Sequence, residues 1–272
     1  LLAVTVIAVA ILSAGCGGSG EGSGLPPFVD GSVTDAEFHA AADAIALAFQ
    51  NAGTGPDVTN QVLAAMRAQP KVVAARLNSS NQPVAWFQDG RKVVILVDSL
   101  EQAPPPAALS SALEDASGHT TRNLVSGKKA VILSGFLGAG TPALGPIQTQ
   151  LLDKGFEAQI QQITVDTGPG LSNLDLLMVS SHGIIDDSRT GVAQMYYSTT
   201  TECTPELERQ YEQQLIDGRM IINGIRVYRG PNDFDTKYFF SLSQAYLRER
   251  GMSFRPGALW LSNACHSAEP AA

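Results

Sequence analysis

From Lys128 onward, short apolar runs alternate with stretches of helical periodicity. The runs at residues 130–134 (AVILS), 157–165 and 174–181 (LDLLMVSS) have the length of strands, and a helix is predicted at 146–154. The run at 174–181 has too many consecutive apolar residues for a sheet with one solvated face, so we expect it to be buried on both faces. This alternation predicts an α/β domain with a mainly parallel sheet.

The same periodicity predicts the elements closer to the C-terminus. A helix is expected at 205–217, a strand at 220–228, a helix near 237–250 and a strand at 258–264 (ALWLSNA). Gly251 is placed just beyond the helix near 237–250.

Two reactive side chains directly follow strands of this pattern. His182 follows the strand at 174–181, and Cys265 follows the strand at 258–264. Open α/β sheets bind ligands at the carboxyl ends of their strands. A cysteine nucleophile needs a positioned imidazole, and Gly183 lets a substrate backbone come close to a main-chain N–H. The pair therefore indicates cysteine-based chemistry.

Two short motifs carry a resemblance to a known family: Ser-His-Gly at 181–183 and Asn-Ala-Cys-His-Ser at 263–267, each behind an apolar strand. Over residues 128–272 the chain resembles the caspase-like (clan CD) cysteine peptidases, which include caspases, gingipains, legumains and bacterial CHAT domains. The resemblance implies a caspase-like, mainly parallel sheet flanked by helices. It also implies that His182 is the catalytic histidine, that Cys265 is the nucleophile, and that the N–H groups of Gly183 and Cys265 form the oxyanion hole.

The activity implied by the resemblance is that of an endopeptidase with a polypeptide substrate. Asp186 and Asp187 are interpreted either as an acidic wall for a basic substrate residue, as in arginine-specific relatives, or as a solvated turn. The family's sheet continues beyond the nucleophile, whereas seven residues follow Cys265 here. We therefore expect the C-terminal strands to be missing and the domain to be truncated, with residues 196–228 as an insertion.

The N-terminal residues predict a lipoprotein. The apolar run within residues 1–15 is shorter than the ~20 residues that span a bilayer, and it fits a signal peptide. Its end, Leu-Ser-Ala-Gly-Cys at 12–16, resembles the lipobox of bacterial lipoproteins. The resemblance implies that Cys16 is lipidated and anchors the chain to the membrane on the extracytoplasmic side of a bacterial cell envelope. Whether this is the inner or the outer membrane stays open.

A linker and a small α+β module follow the signal. Residues 16–29 are a Gly/Ser-rich linker. Within the module at 30–98, Thr34-x-x-Glu37 is a capping box that begins a helix, and a second helix is predicted at 58–68. Three strands, with an Asp-Gly turn before the last, are predicted at 71–77, 83–88 and 92–97. Residues 99–127, which contain three consecutive prolines, are predicted to be a linker.

Charge and motif spacing exclude other functions. With 18 Lys+Arg against 26 Asp+Glu, the net charge of −8 leaves no broad basic surface, so nucleic-acid binding is not expected. Metal-ligand spacing is absent from the sequence, and the glycines at 135–140 lack the order and the lysine of a phosphate-binding loop, so neither a metal nor a cofactor is predicted. The charged residues of the helix at 205–217, Glu208 among them, are interpreted as facing solvent.

Cys203 keeps a different function open. In an oxidising compartment it could form a disulfide with Cys265. The chain would then be a catalytically inert surface lipoprotein that uses the same scaffold for protein binding.

Overall fold

The computed structural model describes residues 27–53, 55–102, 128–136, 144–186, 194–230 and 233–264. Its helices are α1 (Asp35–Asn51), α2 (Val58–Arg67), α3 (Gly145–Asp153), α4 (Pro205–Gln210), α5 (Glu212–Ile216) and α6 (Gln244–Glu249). Its strands are β1 (Val72–Leu77), β2 (Pro83–Phe87), β3 (Lys92–Gln102), β4 (Lys129–Ser134), β5 (Glu157–Gln162), β6 (Leu174–Ser181), β7 (Gly183–Asp186), β8 (Gln194–Glu202), β9 (Met220–Gly230), β10 (Asp233–Ser243) and β11 (Phe254–Ala264). In these ranges, no helix is long and apolar enough to cross a membrane.

The predicted parallel sheet is present, and the α/β class is confirmed. Four parallel strands lie in the order β11-β6-β4-β5. Successive side chains of a strand alternate between the two faces. On one face, Leu177 and Val179 of β6 belong to the main hydrophobic core. On the other face, Met178 is only partly buried and Leu259 of β11 is exposed, so β6 is buried more completely on one face than on the other.

The second sheet is mixed and has seven strands in the order β1-β2-β3-β9-β10-β8-β7. Its neighbours are antiparallel except for β3 and β9, which run parallel. Strands from residues 72–102 and strands from residues 183–243 thus share one set of backbone hydrogen bonds. The sheet therefore crosses the boundary that the sequence places between the module at 30–98 and the domain at 128–272.

This seven-stranded sheet curls until strands from its two ends meet. Lys92 of β3 forms a buried ion pair with Asp186 of β7. In the loop between β1 and β2, Asn78 Nδ2 donates to the carbonyl of Ile185 at 2.9 Å. The curl encloses a second apolar core, formed by Val84, Trp86, Val94, Leu96, Ile184, Tyr196, Ile221, Ile225, Val227 and Phe239.

Helix α1 begins where the capping box predicts. The Thr34 hydroxyl accepts from the Glu37 N–H at 3.3 Å, and the Glu37 carboxylate accepts from the Thr34 N–H at 2.9 Å. The last turn of α1 holds no basic residue, and Arg226 of β9 supplies a positive charge there by donating to the Phe49 carbonyl at 2.8 Å. The capping box sets the start of this helix, and a distant strand stabilises its end.

The helix predicted near 237–250 is wrong over most of its length. Residues 233–243 form β10, and only Gln244–Glu249 is helical, followed by Gly251 at a φ of 101°. Phe239 lies in the second core and Phe240 in the main core, so β10 is buried on both faces. Consecutive buried aromatic residues hide the two-residue period of a strand, and the sequence therefore favours a helix.

Candidate functional site

Strand β6 ends where the chain passes from one sheet into the other. Ser181 is the last residue of β6 in the parallel sheet, Gly183 is the first residue of β7 in the mixed sheet, and His182 lies between them. We call these three residues the junction. In the neighbouring parallel strand, Ala264 is paired with Ser181. Cys265, the predicted nucleophile, follows Ala264 in the sequence and lies outside the described residues.

Hydrogen bonds to β8 hold the backbone of the junction. The Ser198 N–H donates to the His182 carbonyl at 3.0 Å. The buried Ser181 hydroxyl lies 2.9 Å from the carbonyls of both His182 and Ser198 and donates to them. Gly135, just after β4, packs here as well: a Cβ at this position would lie 2.5 Å from Ser181 Oγ and still closer to the Ser198 carbonyl. Only a glycine lets β4 approach β6 and β8 this closely.

The N–H of Gly183 points away from β8. The register places Gly183 opposite Tyr197, and the hydrogen-bonded pair is His182 with Ser198. In an antiparallel pair, residues that bond to the partner strand alternate with residues whose N–H and C=O point the other way. Because β7 is the last strand of its sheet, this N–H is directed toward the outer edge. That direction is compatible with the predicted oxyanion role.

The His182 side chain lies in a largely closed environment. His182 is 8% exposed. The Phe136 ring meets the imidazole edge to face, with ring centroids 4.9 Å apart. Nearby, Asn263 Nδ2 donates to Ser180 Oγ at 3.4 Å and connects the end of β11 to the end of β6. Sequence reasoning did not single out Phe136, although its position just after a buried strand was an available signal.

The loop between β1 and β2 lies along the outer edge of β7. Gln82 Nε2 donates to the Gly183 carbonyl at 3.5 Å, in the same way that Asn78 donates to Ile185. The two side chains also bond to each other, with Asn78 Nδ2 donating to Gln82 Oε1 at 3.0 Å, and both are buried. The N-terminal strands therefore supply one wall of the candidate site. Sequence reasoning missed both amides because no spacing relates them to residue 183.

Asp186 is a strand residue, not part of a solvated turn. It is 6% exposed, and its carboxylate forms the ion pair with Lys92, which is 1% exposed. An internal lysine thus already neutralises this carboxylate. Asp187, the other residue proposed for an acidic wall, lies outside the described residues.

A separate cluster joins α1, the end of β8 and α4. Cys203 Sγ donates to Glu208 Oε1 at 3.2 Å, and His39 Nε2 lies 3.4 Å from Glu208 Oε2. We call these three residues the glutamate cluster. Glu208 is 6% exposed, so the interpretation of this residue as solvent-facing is wrong. Helical geometry turns Glu208 toward α1, whereas Glu206 of the same helix stays exposed.

The glutamate cluster keeps its thiol protonated. Burial, followed by the charge of Glu208, raises the pKa of Cys203. Burial also raises the pKa of Glu208, and the thiol hydrogen bond opposes that rise. Because the thiolate is the reactive form, Cys203 is a poor nucleophile here. In this structure Cys203 is a free cysteine.

In the part of the chain that the structure describes, no group of three or more His, Cys, Asp and Glu side chains is arranged to hold a metal ion. The predicted lipidation site, Cys16, lies outside that part. Neither a family model, nor a curated protein, nor a solved structure matches the chain.

Proposed function

We propose that this protein is a lipid-anchored, extracytoplasmic cysteine endopeptidase that acts through His182 and Cys265. The observation that carries the proposal is the parallel register of β6 and β11, in which Ala264 is paired with Ser181. In the sequence, His182 directly follows Ser181 and Cys265 directly follows Ala264. Adjacent strands lie ~4.8 Å apart, so the strand ends that precede His182 and Cys265 in the sequence lie side by side.

The orientation of Gly183 gives independent support. A cysteine peptidase needs N–H donors aimed at the oxygen that becomes negatively charged when the thiolate attacks. The Gly183 N–H faces the outer edge of β7, next in the chain to the imidazole, and is not directed at β8. The buried amides of Asn78 and Gln82 line this edge without introducing a charge.

The proposed reaction is hydrolysis through a thioester. The Cys265 thiolate attacks the scissile carbonyl carbon, and a C–S bond forms while the oxyanion accepts from the N–H groups of Gly183 and Cys265. The C–N bond then breaks, and the His182 imidazolium protonates the leaving amine. Water attacks the thioester, His182 takes its proton, and the C–S bond breaks to release the acid and restore the thiolate.

The lipid anchor is proposed from the sequence alone. Its support is the short apolar run and the Leu-Ser-Ala-Gly-Cys segment at 12–16. Anchored in this way, the endopeptidase would act on polypeptides outside the cytoplasm, at the surface of the membrane.

Two measurements on the purified protein test the proposal. The first follows hydrolysis of a fluorogenic peptide library by wild type, Cys265→Ala, His182→Ala and the matched control Cys203→Ala. We expect wild type and Cys203→Ala to be active, and each of the other two variants to lose activity by about 10³-fold or more. The second follows alkylation of Cys265 by iodoacetamide against pH, using mass spectrometry.

The alkylation profile separates a coupled dyad from an ordinary thiol. In wild type, Cys265 should react quickly below pH ~7, and in His182→Ala the profile should move toward the ~8.5 of a free cysteine. A Cys265 that titrates near ~8.5 in both proteins, together with a library that is not cleaved, contradicts the proposal. That result would favour the inert surface lipoprotein.

A further inference from the structure

The peptide group between His182 and Gly183 carries two functions at once. Its carbonyl accepts hydrogen bonds from the β8 side, and its N–H is the oxyanion donor of the proposed function. A trans peptide group is planar, and its C=O and N–H point in opposite directions. The groups that hold the carbonyl toward β8 therefore also aim the N–H away from it.

Among the described residues, two donors hold this carbonyl. One is the Ser198 N–H at 3.0 Å, and the other is the Ser181 hydroxyl at 2.9 Å. The same hydroxyl lies 2.9 Å from the Ser198 carbonyl, so its single proton is shared between two acceptors. Ser181 has no exposed surface, and the backbone of Gly135 packs against its side chain. The hydroxyl is thus confined to the position from which it bonds the carbonyl.

We propose that Ser181 is a positioning residue: its buried hydroxyl fixes the peptide group between His182 and Gly183, so that the Gly183 N–H is aimed at the substrate oxyanion. This inference rests on the proposed function and adds a residue to it. Ser181 touches neither the substrate nor the reacting atoms. It acts through the orientation of the neighbouring peptide group.

Ser181→Ala removes the hydroxyl, and Ser134→Ala is the matched control. Ser134 ends β4, is equally buried, and its hydroxyl has no hydrogen-bond partner among the described residues. With a peptide that wild type cleaves, Ser181→Ala should lower kcat by about 10- to 100-fold, while KM changes by less than about twofold. This loss is smaller than the loss on removing an oxyanion-hole donor itself, which lowers kcat by about 10²- to 10³-fold. Ser134→Ala should change neither constant by more than about twofold. Equal kinetics in the two variants overturn the inference.

A measurement on the wild type covers the case in which Ser181→Ala does not fold. Nuclear magnetic resonance of the ¹³C,¹⁵N-labelled protein detects couplings across hydrogen bonds. We expect a coupling from the Ser198 nitrogen to the His182 carbonyl carbon and none from the Gly183 nitrogen to a β8 carbonyl. A coupling from the Gly183 nitrogen to β8 overturns the inference, because the N–H would then face the wrong way.

Different results would contradict the proposed function and the positioning role of Ser181. If wild type cleaves no peptide and Cys265 titrates as a free thiol, the proposed function is wrong, and the positioning role falls with it. If wild type is active and loses activity on His182→Ala, but Ser181→Ala behaves as Ser134→Ala does, only the role of Ser181 is wrong.

Discussion

The junction and the glutamate cluster each contain a histidine, and they differ in what surrounds it. At the junction, the Phe136 ring packs against the imidazole of His182, and the His182 carbonyl accepts from the Ser181 hydroxyl and the Ser198 N–H. Asp186, four residues further along the chain, is paired with Lys92. In the glutamate cluster, a buried carboxylate lies between the imidazole of His39 and the thiol of Cys203.

This difference shows which surroundings prevent a thiol from forming the reactive thiolate. A carboxylate in contact with a cysteine disfavours the thiolate by charge repulsion, and burial disfavours it further. Both effects act on Cys203. At the junction, the described groups that hold the backbone are an N–H and a hydroxyl, which carry no charge. A histidine close to a cysteine is therefore not enough to make the thiol reactive. A carboxylate that contacts the thiol disfavours the thiolate even with an imidazole nearby.

The largest effect is expected from Lys92→Met, which tests whether the junction region depends on its internal ion pair. The substitution removes the Lys92 cation from the buried Asp186 carboxylate, and breaking a buried ion pair costs about 3 to 5 kcal/mol of unfolding free energy. Urea denaturation measures the loss of unfolding free energy. The control is Lys237→Met, because Lys237 and Glu202 form a partly exposed pair at 2.7 Å that is worth at most about 1 kcal/mol. Equal losses in both variants would contradict this prediction.

Gly135→Ala comes next, and it tests the close packing at the junction. The new methyl would overlap the Ser181 hydroxyl and the Ser198 carbonyl, so we expect a loss of about 2 to 3 kcal/mol in thermal or urea unfolding. Gly145→Ala is the matched control. Nothing lies within 4 Å of a Cβ there, so this variant should be neutral or more stable by up to about 1 kcal/mol. A Gly135→Ala protein as stable as Gly145→Ala would show that the close approach is not required.

Cysteine labelling in the native state tests the comparison directly. At pH 8, iodoacetamide should label Cys203 at least about tenfold more slowly than it labels the same residue in urea, because burial keeps its pKa raised. Burial is the larger cause, so Glu208→Gln should not restore fast labelling. Mass spectrometry of tryptic peptides measures both rates. Rapid labelling of native Cys203 would show that the glutamate cluster does not suppress the thiolate, and the contrast with the junction would then be wrong.

The smallest effect is a change in the pH dependence of stability. The pKa of Glu208 is raised by burial, so the folded state binds its proton more tightly than the unfolded state does. Its contribution to stability is full below the usual value of 4.5 and is lost as pH rises through the raised pKa. Glu208→Gln should therefore flatten the fall in unfolding free energy above pH 4.5.

The neighbouring Glu206 gives a control of opposite sign. Hydrogen bonds to its own backbone N–H and to Thr204 lower its pKa, so its contribution is present above 4.5 and is lost as pH falls. Glu206→Gln should thus reduce the loss of stability on the acid side. Unfolding curves from pH 3 to pH 8 compare the two variants. If both substitutions change the pH dependence of the unfolding free energy in the same direction, the opposite pKa shifts of Glu208 and Glu206 are refuted.

Much of the local structure could be predicted because its causes are local. The capping box of Thr34 and Glu37 marks the start of α1, and the turn before β3 uses Gly90 at a φ of 94°. The strand predicted at 174–181 coincides with β6. The strand-end position of His182 follows from the same pattern. Periodicity and turn chemistry act over a few residues, so a sequence displays them directly.

The remaining features depend on partners that are distant in the chain. β10 shows no strand period because both of its faces are buried, and most of β8 lies within the region interpreted as an insertion. Lys92 and Asp186 are 94 residues apart, and nothing near either residue indicates the pair. Glu208 looks like a surface residue until α1 packs against its helix.

The sequence by itself determined the α/β class, the capped start of α1 and the placement of His182 at the end of a buried strand. Only the tertiary structure decided that strands from both parts of the chain form one curled sheet, and that the Gly183 N–H faces away from β8. The physical reason is that helices, turns and strand periods arise between neighbours in the chain. The direction of an N–H and the charge beside a thiol are instead set by strands and helices that meet only after folding.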